Sequence, residues 1–180
     1  MKRMLSIAAV LLLAGSGAGL AAEAKSMKVK MMNAKRQEVG EATLTGTPNG
    51  LLIRLNVSEK HPEISPGTHA FHVHELGKCE PPFKSAGGHY NPLGKKHGFL
   101  NKAGKHAGDL PNIHVPEKGA LTVEFFVTQL TLDGGKTGVL DADGSALMIH
   151  AGADDYRTDP AGDAGDRVAC GVIEGSSRKK

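Results

Sequence analysis

The chain has 180 residues and a mass of 18.8 kDa, enough for one domain with a single sizeable core. Its 22 Lys+Arg against 19 Asp+Glu give a net charge of +3, which argues against nucleic acid as a partner because phosphate backbones want a dense basic face. With 24 Gly, 9 Pro and no Trp, the composition argues against a long-helix bundle and predicts many turns around a core of Val, Ile, Leu and Ala.

Lys2 and Arg3 open the chain with positive charge, and Leu5 to Ala14 is apolar but for Ser6. Small residues follow, with Ala22-Glu23-Ala24 and Gly19-Leu20-Ala21 as candidate cleavage sites. The apolar run is about half of the roughly 20 residues a membrane span needs. Residues 1–24 are therefore read as a secretory signal peptide cut near 21–24, followed by one domain over 25–180. After cleavage no membrane association is expected. The product reaches an oxidising compartment, where the only two cysteines, Cys79 and Cys170, have one possible intramolecular pairing.

Period-two alternation dominates the rest. Met27, Val29 and Met31 alternate with Lys28 and Lys30, and a second strand fits near Glu38–Thr45. Thr47-Pro48-Asn49-Gly50 reads as a hairpin turn into a third strand. There Leu51, Ile53, Leu55 and Val57 share one face, and Leu52, Arg54, Asn56 and Ser58 the other. Further strands are expected near Thr68–Glu75, over Leu121–Val127, near Ala146–His150 and near Val168–Ile173. The alternating strands should be half-buried, one face in a core and one in water. No helical period, internal repeat or second domain is present, so the fold class is all-β, a sandwich or barrel.

Two stretches show no strand pattern. Gly77 to Pro116 is rich in Gly, Pro, His, Lys and Asn, and Ala151 to Asp166 in Asp and Gly. Loops of that length inside a compact domain need a function or a tie. The histidines and cysteines in and beside them are the available ties.

Nine His beside two Cys point to metal chemistry. His72-Val73-His74 lies on a predicted strand, so both imidazoles project from one face and can converge on one ion. Alone, such a pair is more often packing or surface. The long loop adds His89, His97, His106 and Asp109, three His and a carboxylate, the donor set of a closed tetrahedral zinc site. His150 ends another predicted strand, from which it can return to the first pair. Six His and an Asp exceed one tetrahedral shell, so two metals are expected. His61 and His114 read as exposed loop histidines, and Asp141-Ala142-Asp143-Gly144 as a turn that lacks the further ligands of a calcium loop.

The runs holding these residues resemble those of a known family. Ala70-Phe71-His72-Val73-His74-Glu75, followed by Gly77 and Cys79, resembles the first signature of the copper/zinc superoxide dismutases. Ser85-Ala86-Gly87-Gly88-His89-Tyr90-Asn91-Pro92, His97-Gly98 and His106-Ala107-Gly108-Asp109-Leu110-Pro111 are similar to the family's zinc loop. Residues Gly162 to Ile173 resemble its second signature throughout. The signal sequence and compact loops resemble the bacterial periplasmic branch.

The resemblance implies a Greek-key antiparallel β-sandwich or flattened barrel with two long functional loops. It implies dismutation of superoxide to dioxygen and hydrogen peroxide by a redox-cycling copper supported by zinc, one of each per subunit. Carried over residue by residue, His72, His74, His89 and His150 bind copper. His89, His97, His106 and Asp109 bind zinc, with His89 bridging the two ions. Asp154 matches the carboxylate that links a copper His to a zinc His, and Arg167 the guanidinium at the mouth of the copper channel. His89 and Arg167 are therefore the expected catalytic residues, His89 by handing a proton to the forming peroxide. His69 resembles the family's structural His and is no ligand. Two departures are mild: Ala70 stands where the eukaryotic pattern has Gly, and Lys78 where a small or polar residue is usual. The alternative is a non-catalytic periplasmic copper/zinc-binding protein of the same fold, but degenerate members lose a copper His or the channel Arg, and both are intact here. Members of the branch occur as monomers and as differently built dimers, so the resemblance leaves a homodimer open.

Overall fold

The computed structural model describes residues 24–60 and 63–174. The expected signal peptide lies outside the described residues but for Ala24, and so does His61. The strands are β1 (Ser26–Asn33), β2 (Glu38–Thr47), β3 (Gly50–Val57), β4 (Gly67–His69), β5 (Phe71–His74), β6 (Ile113–Val115), β7 (Leu121–Val127), β8 (Ser145–His150) and β9 (Arg167–Ile173).

Alternation does what it predicts in β3, where Leu51, Ile53, Leu55 and Val57 are buried and Arg54 is exposed. The turn into β3 is held by Thr47, whose Oγ1 donates to the Gly50 carbonyl at 2.8 Å and accepts from the Asn49 amide at 3.2 Å. Seven strands form one curled antiparallel sheet in the order β5-β8-β9-β1-β2-β3-β7, and β4 pairs with β6. Chain neighbours are not always sheet neighbours: after β3 the chain crosses to the far edge, and β7 returns to pair with β3. These are Greek-key crossovers. Because β4 continues into β5 and β6 lies against β7, the two edges approach each other and the sheet curls into a flattened barrel.

The core inside that curl is aliphatic as expected, with Val29, Leu44, Leu51, Ile53, Leu55, Leu147 and Ile149 buried, and Met31 and Phe71 filling it further. A second small cluster of Phe83, Ala86, Ala146, Met148 and Cys170 surrounds the Cys79–Cys170 disulfide, whose Cα atoms are 5.7 Å apart across 91 residues of chain.

Two expectations need correction. The strand near Thr68–Glu75 is divided at Ala70, whose amide donates to Gly152 and whose carbonyl accepts from the His150 amide, so its pairing passes from β6 to β8. The stretch 77–116 is not free of strand: β6 buries Ile113 and Val115 around an exposed His114, too short an alternation to stand out. His114 is thus exposed as expected, but on a strand. Unlike the half-buried alternating strands, β5 and β8 are buried on both faces, because the two long loops cover their outer face. That covered face carries the histidines.

Candidate metal centre

The site grows out of β5 and β8. Antiparallel pairing sets Phe71 opposite Ile149 and His72 opposite Met148, so His150 at the end of β8 lies near the His72–His74 face. The first long loop then runs back along β5 twice. Tyr90 donates its amide to the Val73 carbonyl at 2.8 Å, and the Val73 amide donates to the Gly108 carbonyl at 2.9 Å. These contacts bring His89 beside His74 and Asp109 beside His72. Gly108 makes the close approach possible, since a Cβ there would collide with the Val73 carbonyl oxygen.

Two groups result, each with ligand atoms within 4.8 Å of one another: His72, His74, His89 and His150, and His89, His97, His106 and Asp109. All seven side chains are buried, and His89 belongs to both groups.

In the first group the free nitrogens follow from what the other nitrogens do. His72 Nε2 donates to Asp154 Oδ2 at 2.8 Å, His74 Nδ1 to the Gly87 carbonyl at 3.1 Å, and His150 Nδ1 to the Gly165 carbonyl at 3.3 Å. A neutral imidazole has one donor and one acceptor nitrogen, so His72 Nδ1, His74 Nε2 and His150 Nε2 present lone pairs. His72 Nδ1 and His89 Nε2 are buried with no hydrogen-bond partner. Bare, buried nitrogens are costly unless something takes their lone pairs. A cation does.

In the second group the Nδ1 atoms of His89, His97 and His106 lie 2.8, 3.1 and 3.1 Å from one oxygen, Oδ1 of Asp109. The other carboxylate oxygen accepts from the backbone amides of Gly98 and His106, which fixes the plane of Asp109. Three imidazoles and a carboxylate suit a closed tetrahedral site. Asp154 joins the groups, accepting from His97 Nε2 at 3.0 Å as well as from His72. Such outer partners fix ring orientation and tautomer. Gly162, at φ +68, leaves room for this contact: a Cβ there would collide with Asp154 Oδ1.

The protonation states of His74, His89 and His150 agree with lone pairs open to a cation. Burial pushes the His150 pKa down to about 3, helped by His72, and that of His89 down to about 4 against the hydrogen bond to Asp109. Burial, with His89, Arg167 and His150 nearby, holds His74 well below the usual histidine range. At neutral pH these rings are therefore uncharged, the form that binds metal. For His97, burial is outweighed by hydrogen bonds to Asp109 and Asp154, and its pKa rises to about 9. Burial pushes Asp109 and Asp154 up, but hydrogen bonds from His106, His89 and His97 on the one, and from His72, His97 and the Tyr156 amide on the other, hold both well below the carboxylate range.

A cavity of about 400 Å³ opens onto the first group, lined by His89, His150, Glu75, Pro160, Ala161 and Arg167 among others. Arg167 is half-buried, donating through Nη1 to the Phe83 carbonyl at 2.7 Å and through Nη2 to the Gly87 carbonyl at 2.6 Å. The Cys79–Cys170 bridge packs in one cluster with Phe83, the first of these anchors, and reaches β9 through Cys170. His69 stays out of both groups, with its ring nitrogens against the carbonyls of Ser65 and His150.

The model of the copper/zinc superoxide dismutase family matches residues 38–173. The chain belongs to that family. It is 51% identical over 146 residues to Cu-Zn superoxide dismutase 1 of Aquifex aeolicus, across 80% of this chain and 85% of that one. To the Cu-Zn superoxide dismutase of Caulobacter vibrioides it is 44% identical over 142 residues, across 77% and 79%. Among solved structures, a double mutant of a SOD-like protein from Bacillus subtilis matches with a TM-score of 0.77 at 42% identity, covering 82% of this chain and 97% of the other. For a copper/zinc superoxide dismutase, the two donor groups fit the two metals: imidazole suits copper, and nitrogen with one carboxylate suits zinc.

The seven expected ligands make up the two groups, Asp154 bonds to a member of each, and Arg167 lines the cavity beside them, while Cys79 and Cys170 are joined in a separate cluster. Some participants were not foreseen. Gly87 acts through its carbonyl, which side-chain chemistry cannot reveal. Glu75 stands in a quoted motif without a role, yet its Oε1 accepts from the Gly88 amide at 2.8 Å and braces the turn that carries His89.

Proposed function

We propose that the chain turns two superoxide anions and two protons into dioxygen and hydrogen peroxide in the bacterial periplasm. The observation that carries this reading is the pair of buried donor groups sharing one imidazole, His89. His72, His74, His89 and His150 would hold copper, and His89, His97, His106 and Asp109 zinc, one ion of each per chain. Copper supplies the one-electron chemistry that zinc lacks.

The chain's own residues supply the rest. His89 presents Nε2 to the first group and Nδ1 to the second, so Nε2 is the atom that holds the proton destined for peroxide. Asp154 keeps His72 and His97 in the tautomers their groups require. Arg167 offers the anion a permanent charge, its guanidinium pinned by two carbonyls and its remaining N–H groups available to the cavity. The net charge of +3 is too small to draw anions from afar, so attraction must come from local field focused in the cavity. Residues 1–24, read as a signal peptide, would deliver the chain to a compartment where the Cys79–Cys170 bridge persists.

Metal analysis of protein isolated from the periplasm, paired with a superoxide-consumption assay, tests the reading. One copper and one zinc per chain with rapid superoxide loss is the expected result. Zinc alone without turnover would overturn it in favour of a non-catalytic metal-binding protein.

A further inference from the structure

His97 is gripped twice by the loop between β8 and β9. Its ring Nε2 donates to Asp154 Oδ1 at 3.0 Å, and its backbone amide donates to Asp159 Oδ1 at 2.9 Å. The second Asp159 oxygen accepts from Lys96 Nζ at 2.8 Å. The segment that carries Asp159 is braced from within: the Asp155 carboxylate accepts from the amides of Arg157 and Thr158, and the Thr158 carbonyl accepts from the Gly162 amide at 2.6 Å. Immediately after Asp159, Pro160 and Ala161 form part of the cavity wall facing His89, His150 and Arg167.

His97 lies on no strand or helix, so no sheet or helix ladder fixes its backbone. The amides on either side, of Lys96 and Gly98, are held by the Ala103 carbonyl and by Asp109 Oδ2, and the His97 amide between them is held by Asp159. This last contact acts on the ligand residue's own peptide. We propose that Asp159 is a positioning residue, holding the His97 main chain so that Nδ1 points into the second donor group and pinning the cavity wall to the same point. The exposed ion pair with Lys96 adds little, as surface pairs generally do. The amide contact is the part that acts. The inference rests on the reading of His97 as a zinc ligand.

The test is zinc release from the full zinc-loaded chain into excess chromogenic chelator, for wild type, Asp159→Ala, Asp159→Asn and Lys96→Ala. Loss of an outer partner of a metal ligand costs roughly 10–100-fold in affinity, and Asp159→Ala should release zinc faster by about that factor. Asp159→Asn keeps an oxygen for the His97 amide and should stay near wild type, as should Lys96→Ala. Wild-type release from Asp159→Ala would overturn the proposal. So would Asp159→Asn and Lys96→Ala releasing as fast as Asp159→Ala, since that assigns the effect to the ion pair. Hydrogen exchange of the zinc-loaded wild type tests it without any variant: the His97 amide should exchange slowly, and exchange at the rate of an open chain would overturn it. A wild-type chain that takes up no zinc at all would instead overturn the metal assignment.

Discussion

The Nε2 atoms of His74 and His150 face each other at 3.4 Å, while the Nδ1 atom of each ring is turned away to a backbone carbonyl. Two lone pairs at that distance gain nothing from each other. They gain from a cation between them and the rings of His72 and His89. Because His89 alone belongs to both groups, its removal should reach both metals. Elemental analysis of His89→Ala should show depletion or altered binding at both sites together with changed copper spectra, whereas His150→Ala should lower copper and spare zinc.

The disulfide closes 91 residues of chain, so its loss should cost about 4–5 kcal/mol on the chain-entropy estimate. The effect should not stop at stability. Cys79 lies in the segment whose Phe83 carbonyl anchors Arg167, and loosening it should lower activity in protein that remains folded and metal-loaded. Denaturant titration of Cys79→Ala/Cys170→Ala, followed by a rate measurement under native conditions, checks both effects.

Arg167 is no ligand, so Arg167→Ala should keep its full metal content. Its rate should fall ten-fold or more, each decade being about 1.4 kcal/mol of barrier. Arg167→Glu should be slower still, and the wild-type rate should decline as salt screens the field. Pulse radiolysis across ionic strengths measures all three.

The chain stripped of both metals should show a stability maximum near pH 6.5. His150 at about 3, His89 at about 4 and the lowered His74 all bind protons more weakly folded than unfolded, so stability falls as pH drops below 6.5. His97, raised to about 9, contributes fully below 6.5 and loses its contribution as pH climbs through 9. Three histidines act on the acid side, joined at lower pH by Asp109 and Asp154, whose carboxyls are held low, and one histidine acts on the alkaline side, each group worth up to about 1.4 kcal/mol per pH unit. The acid limb should therefore be the steeper. Denaturant unfolding from pH 4 to 10 checks the shape, and metal loading should flatten it.

Period-two spacing made β1, β3 and β7 legible because their two faces meet different surroundings. It is silent on the two-sided burial of β5 and β8, since what buries their outer face comes from loops distant in sequence. The residues of the two donor groups were legible because His in such numbers has few other uses and because their runs resemble known signatures. Asp159 was not, because it stands among Asp154, Asp155, Asp163 and Asp166, and only the folded loop shows which carboxylate meets the His97 amide. Backbone contributions such as the Gly87 carbonyl, which serves both His74 and Arg167, leave no mark in residue chemistry.

His150 and Arg167 are cross-strand partners, the last residue of β8 beside the first of β9, with the entire second loop between them in sequence. Their separation is set by the sheet ladder and owes nothing to the excursion that joins them. That excursion departs and returns at the same place, so lengthening it adds a closure cost that grows only with the logarithm of its length. The wall over the cavity at Pro160 and Ala161 can thus be reshaped or recharged while His150 and Arg167 keep their places, provided Asp154, Asp159 and the Gly165 carbonyl stay to orient the histidines they hold. Substrate access can then change in this scaffold while the donor atoms stay fixed.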